Sequence, residues 1–333
     1  MLRIRHGWLV VVLAVAAVSA CKKDEKTADT AAAVMGGGAA GAVSGDDLSL
    51  LPVDSEMVLG INFGQIRDSA LWKQFVAPGL DKAQSQGKFE GLKDFQTKCG
   101  FDPTTSVSSI SIGLRNMGGD KPDGVVVVRG LDKAKTLACV DKMNDEIKAK
   151  GTTVTKDGDV LLFKDINDGT PTGVAFINDT TAVAVGGEKG ATAAGVKAVL
   201  AGSSGLKTSP AFVDLYGKLK SSDSLWFVVN GKVLDKAAMI GTRPKAAFGS
   251  LNITDGLAFD IKLRVDSADA AAQLVAKLKE QSAQVAPMVD KIDVSNDADL
   301  VKISLVLSNQ KLQALVSQFG AMFGLGGLIN SHP

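Results

Sequence analysis

Short runs in which apolar and polar residues alternate with period two are interleaved with runs of helical spacing along most of the chain. "EMVLGINF" from Glu56 reads as a strand, and "SALWKQFV" from Ser69 puts Leu71, Trp72, Phe75 and Val76 on one helical face. "SSISIGLR" from Ser108 and "DGVVVVRG" from Asp123 are again strands. Asp132 is placed to cap a helix that carries Leu137, Val140, Met143 and Ile147 on one side. "TTVTKDGDVLLFKD" then predicts a hairpin turning at Asp157-Gly158.

A second series begins with "TAVAVGG" from Thr181. After a helix-like insertion, "SPAFVDLYGKL" has Ser209 as N-cap, Pro210 at the first helical position, and Phe212, Leu215 and Leu219 facing inward. "SLWFVVNG" and "DGLAFDIKLRV" are strands, Ser267 opens a helix with Ala271, Leu274, Val275, Leu278 and Val285 inward, and "KIDVSNDADLVKISLVLS" closes as a hairpin. The two series align Ser69 with Ser209, Trp72 with Phe212, and Asp123-Gly124 with Asp255-Gly256. The expected fold is therefore α+β: two diverged repeats of mainly antiparallel sheet with helices packed on one face. The chain divides as a leader over 1–20, a tether over 21–49, a first half over 50–167, and a second half over 168–333 with a C-terminal helix.

The N-terminus follows neither period. Arg3 and Arg5 precede an apolar run, Trp8–Ala20, that is far shorter than the roughly 20 residues needed to span a bilayer. The run stops at Cys21 and gives way to "KKDEK". This is the layout of a cleavable signal peptide. Val18-Ser19-Ala20-Cys21 resembles the lipobox of bacterial lipoproteins. That resemblance implies cleavage ahead of Cys21, diacylglyceryl transfer to its thiol and acylation of the new amine, which together attach the protein to a membrane without spanning it. Lys22 in place of the aspartate that commonly marks inner-membrane retention implies the outer membrane, with the body in the periplasm. The following residues to Ser49, rich in Ala, Gly, Ser, Thr and charge, bury too little to order themselves and read as a tether.

With Cys21 lipidated, Cys99 and Cys139 remain as an even pair, and an oxidising periplasm implies a disulfide between them. The formal net charge is +1 and stays close to neutral when Arg3 and Arg5 leave with the leader. Neither a polyanionic nor a polycationic partner is indicated. Aromatic residues are 5% of the chain and are not interleaved with basic clusters, which argues against nucleic acid. Histidine occurs at His6, in the leader, and at His332, leaving the body without the usual near-neutral acid–base group or imidazole ligand.

Sequence patterns with catalytic or ligand-binding associations lack their partners. "GSSGLKTS" from Gly202 departs from a phosphate loop because Leu206 separates Gly205 from Lys207. Ser85 and Lys88 satisfy S-x-x-K without a K-T-G companion. Asp293, Ser295, Asp297 and Asp299 alternate like calcium ligands, but Ala298 stands in for the turn glycine and Ser304 for the bidentate glutamate. No cofactor or metal is expected. Leu312, Leu315, Val316, Phe319, Met322 and Phe323 form a C-terminal apolar stripe suited to pack on the sheet, or else to flap over a groove or meet a membrane or partner. The functional expectation is a non-enzymatic envelope lipoprotein with a structural or protein-interaction role; the alternative is a periplasmic carrier or sensor of an apolar ligand.

Overall fold

The computed structural model describes residues 47–85, 90–117, 123–165, 171–202, 205–236 and 242–319. Cys21, Lys88, Met322 and Phe323 lie outside them, as do the side chains of Val316 and Phe319. The strands are β1 (Met57–Asn62), β2 (Ser109–Arg115), β3 (Asp123–Arg129), β4 (Thr152–Asp157), β5 (Val160–Asp165) and β6 (Pro171–Asn178). They continue with β7 (Thr181–Gly186), β8 (Leu225–Asn230), β9 (Ala246–Ile253), β10 (Leu257–Arg264), β11 (Lys291–Asp297) and β12 (Leu300–Leu307). The helices are α1 (Asp47–Leu50), α2 (Phe63–Asp68), α3 (Ala77–Ser85), α4 (Glu90–Cys99) and α5 (Pro103–Ser106). They continue with α6 (Lys133–Ala149), α7 (Ala193–Leu200), α8 (Pro210–Tyr216), α9 (Ala268–Val285) and α10 (Asn309–Phe319). A π-helical turn, Trp72–Val76, joins the series ahead of α3.

The twelve described strands form one sheet in the order β11-β12-β10-β9-β8-β1-β2-β3-β7-β6-β5-β4, and every neighbouring pair is antiparallel. This corrects the expectation of two repeats with helices on one face. β7, read as the opening of the second series, lies between β3 and β6. The hairpins that close the two series occupy different places: β12 pairs directly with β10, whereas β5 pairs with β6 and is separated from β3 by β6 and β7. Element order recurs, but order alone does not fix which strands hydrogen-bond.

Helices cover both faces. On one face α1, α7 and α8 pack over Val125, Val127, Val183, Trp226 and Phe248. On the other, Phe63 of α2 and Phe101 pack with Val126, Val128, Ala182 and Ala184, while Ala271, Leu274 and Val275 of α9 pack on Leu263, Val294 and Val301. The unbroken apolar run of β3 and the buried run of β7 reflect this, because a strand covered on both sides loses its polar alternation.

Local signals act as their chemistry predicts. Asp132, Ser209 and Ser267 each accept a backbone N–H three residues on, at 2.8, 3.4 and 3.1 Å, and so cap α6, α8 and α9. Gly158, at φ +60°, turns the β4–β5 hairpin. Val285, assigned to the inward face of α9, is instead 40% exposed at the end of that helix.

Gly60 faces Trp226 directly across the β1–β8 pair, and a Cβ on it would fall 2.2 Å from the indole nitrogen. The indole therefore lies flat on a strand that has no side chain there. Tyr216 meets it edge-on at 5.1 Å and stacks on Phe212 at 5.3 Å, filling the space under α8.

Candidate functional site

The described body begins at a buried ion pair. Asp47, fully buried and falling within the stretch assigned to the tether, accepts from Arg129 Nε at 2.9 Å and Nη2 at 2.5 Å and from Ser111 Oγ at 2.8 Å. β2 and β3 present Ser111 and Arg129 on the face that α1 covers, so the carboxylate is held by groups from two strands. Leu48 and Leu51 follow it into the core. The segment is then pinned from outside: Leu206 N–H donates to Leu51 O at 3.0 Å, and Pro52 bridges to Gly205. A Cβ on Gly205 would stand 2.0 Å from Ser49 O, so glycine is required for this approach. The glycine-rich "GSSGLKTS" region thus clamps the entering chain.

Beside this entry lies a cleft of about 140 Å³ between Ser49–Asp54 and α7, with Arg115 and Lys189 among its lining. Arg115 Nε and Nη2 donate to the two oxygens of Asp123 at 2.6 and 3.0 Å, and Nη1 donates to Asp54 at 3.2 Å. Burial opposes the guanidinium charge, but these carboxylates outweigh it and raise the Arg115 pKa. Ser55 Oγ donates to Pro52 O at 2.7 Å. The Arg115 charge is therefore paired within the cleft, which is well under the roughly 300 Å³ of small-molecule pockets.

Cys99, at the end of α4, and Cys139, in α6, lie at disulfide distance, with sulfurs 1.99 Å apart. Both are buried among Phe95, Phe101 and Met143, whose sulfur is 3.5 Å from Cys99 Sγ. The other motif residues disperse. Ser85 Oγ donates to Lys82 O, a helix-end contact. Asp293, Ser295 and Asp297 lie along edge strand β11, where Asp297 pairs with Lys302 at 2.8 Å, while Asp299 faces Arg264 at 3.5 Å. Among the described residues no group of three or more His, Cys, Asp or Glu side chains could hold a metal ion. No described helix is long and apolar enough to cross a membrane.

A third feature is a strip of apolar side chains. On the face carrying α2 and α9, strands β1, β8, β9 and β10 present Leu59, Ile61, Phe227, Val229, Leu251 and Phe259. All six are half-buried, and none joins the buried clusters on either flank. Sequence reading identified these strands, but alternation says which residues share a face and not how deeply each is buried.

No protein-family model, curated protein or solved structure matches this chain.

Proposed function

We propose that the chain is a bacterial envelope lipoprotein, attached to the outer membrane by acyl groups on Cys21, whose body works in the periplasm by binding another envelope protein and not by catalysis. The observation that carries the reading is Val18-Ser19-Ala20-Cys21 behind a short apolar run and two arginines. The start of the body supports it: Asp47 is tied to two central strands, so a tether from Cys21 meets a rigid attachment point and not a fraying end. The interaction role is supported by the outer strands. Opposite α9, β10, β11 and β12 carry Asp260, Lys262, Ser304, Lys302, Asp293 and Ser295 on one face, an array of mixed charge in which Lys262 and Asp260 pair with each other, and this composition suits a polar protein surface. The alternative carrier role would need a cavity for an apolar ligand, and under α8 the space is filled by Trp226, Phe212 and Phe248.

Cys21→Ser tests the anchor. Loss of acyl labelling and release of the body from membranes is expected; a variant that stays in the detergent-extractable membrane fraction sinks the assignment. Native mass spectrometry of protein extracted from intact envelopes tests the role of the body. A lipid retained in the body, independent of Cys21, would replace protein binding with the carrier reading.

A further inference from the structure

We propose that edge strand β11 is a homodimer interface, pairing antiparallel with β11 of a second copy about a two-fold axis at Val294 so that the two sheets run on into each other.

β11 and β4 end the sheet. Among the described residues no strand lies beyond β11, and Lys291, Asp293, Asn296 and Asp297 are exposed along it. The outward N–H and C=O groups of such an edge are a template for another strand. Val285 and Met288, just ahead of β11, and Val306, opposite Lys291, are exposed large apolar residues at the start of the same strand. This end of the edge is therefore apolar as well as open.

Charge selects the occupant and the register. Successive side chains alternate between faces, so Lys291, Asp293, Ser295 and Asp297 share one face of β11. In a two-fold pairing about an axis normal to the sheet, each of them meets a member of the same set on the second copy. With the axis at Val294 all seven residues of the strand are matched: Lys291 stands opposite Asp297 of the second copy, and Asp293 opposite its Ser295. An axis at Asp293 would bring the two Asp293 carboxylates together, and an axis at Ser295 would set Asp293 against Asp297. Opposite charges across a strand pair stabilise it and like charges oppose it, so the Val294 register is favoured over its neighbours. Lys291 makes no ion pair among the described residues. Asp297 pairs with Lys302, yet its side chain is 70% exposed and has room for a second cation.

The other edge offers no such match. Lys156 and Asp157 of β4 are adjacent and point to opposite faces, so no two-fold register sets one against the other. A contact between β4 and β11 of another copy would repeat head to tail into an open filament, whereas β11 on β11 closes at two copies. Main-chain hydrogen bonds supply the hold in this mode of recognition, and the side-chain pairs supply the register.

The test is sedimentation of the full chain in density-matched detergent, as wild type, Lys291→Asp, Asp297→Lys and the double replacement, with near-UV circular dichroism to establish that each is folded. The wild type is expected to be a dimer. Either single replacement turns two attractive pairs into two repulsive ones and should weaken the dimer by about tenfold or more, and the double replacement should restore it. Carbodiimide treatment of mixed isotope-labelled and unlabelled chains should join Lys291 of one copy to Asp297 of the other. A monomeric wild type would overturn the proposal. So would a dimer that both single replacements leave intact, single replacements that dissociate it without recovery in the double, or a Lys291 crosslink confined to one chain.

Discussion

Trp226 and Phe227 are consecutive residues of one central strand, and their surroundings differ completely. Trp226 is fully buried under α8, with Gly60 opposite it and Tyr216 at its edge. Phe227 points to the other face and is half-buried. Both are large and aromatic, so hydrophobicity does not account for the difference. The comparison separates being placed on a face from being sealed there: the period-two backbone does the first, and a covering element at packing distance does the second.

The sharpest break of this comparison is a pair of truncations. Trp226→Ala should cost about 3–5 kcal/mol, the range for large aromatic residues in a filled core. Phe227→Ala should cost about 1–2 kcal/mol, since part of its surface already meets solvent. Urea melts of the two variants measure both values, and equal losses would show that the strip is as tightly sealed as the α8 side.

Asp47→Ala comes next. It removes the buried partner of Arg129, and loss of one member of such a pair costs about 3 kcal/mol at the lower end of the usual range. Arg129 is 24% exposed, so water recovers part of the loss. Thermal unfolding should show the drop, and limited proteolysis should cut near Leu51 before the rest of the body. Uniform protection of that segment would mean that the clamp at Gly205 suffices without the ion pair.

Gly60→Ala probes the filled side from across the sheet. The new methyl would overlap the Trp226 ring, and overpacking of this kind costs about 1–3 kcal/mol. Gly60→Ala with Trp226→Leu should recover part of the loss if the ring is the cause, and a double-mutant cycle by urea denaturation measures the recovery.

The smallest effect is electrostatic and belongs to the cover on the filled side. Asp214 of α8 pairs with Lys218 at 2.7 Å and with Arg264 of β10 at 2.8 Å, and its hydrogen bonds to these cations lower its pKa. A carboxylate whose folded pKa is depressed adds stability above its unfolded pKa of about 4 and loses it as pH falls through the folded value. Asp214→Asn should therefore lower Tm slightly at neutral pH and flatten the acid limb of Tm against pH. Superimposable curves for the two proteins would show that this exposed pair contributes nothing.

Strands and helix starts were legible because their signals are local. Asp132, Ser209 and Ser267 cap helices, and the hairpin turn at Gly158 stands where the spacing places it. The sheet order was not legible, because the recurring series does not specify the β1–β8 pairing or the insertion of β7 beside β3. The apolar run Val125–Val128 carries a signal for cover on both faces, one that a fold with helices on a single face leaves unexplained. The Asp47 clamp had no comparable signal. Its partners Ser111 and Arg129 are distant in sequence and meet only when β2 and β3 pair under α1.

Residue type, spacing and capping chemistry by themselves determined the elements and the side of each strand a residue occupies, since each depends on neighbours within a few positions. The expectation that Cys21 is a processing point came from the resemblance of Val18-Ser19-Ala20-Cys21 to a lipobox. Tertiary structure decided that the strands join into one sheet, that helices cover both of its faces, and that Trp226 is sealed while Phe227 is not. Those outcomes depend on contacts between residues far apart in the chain, whose pairing no local period records.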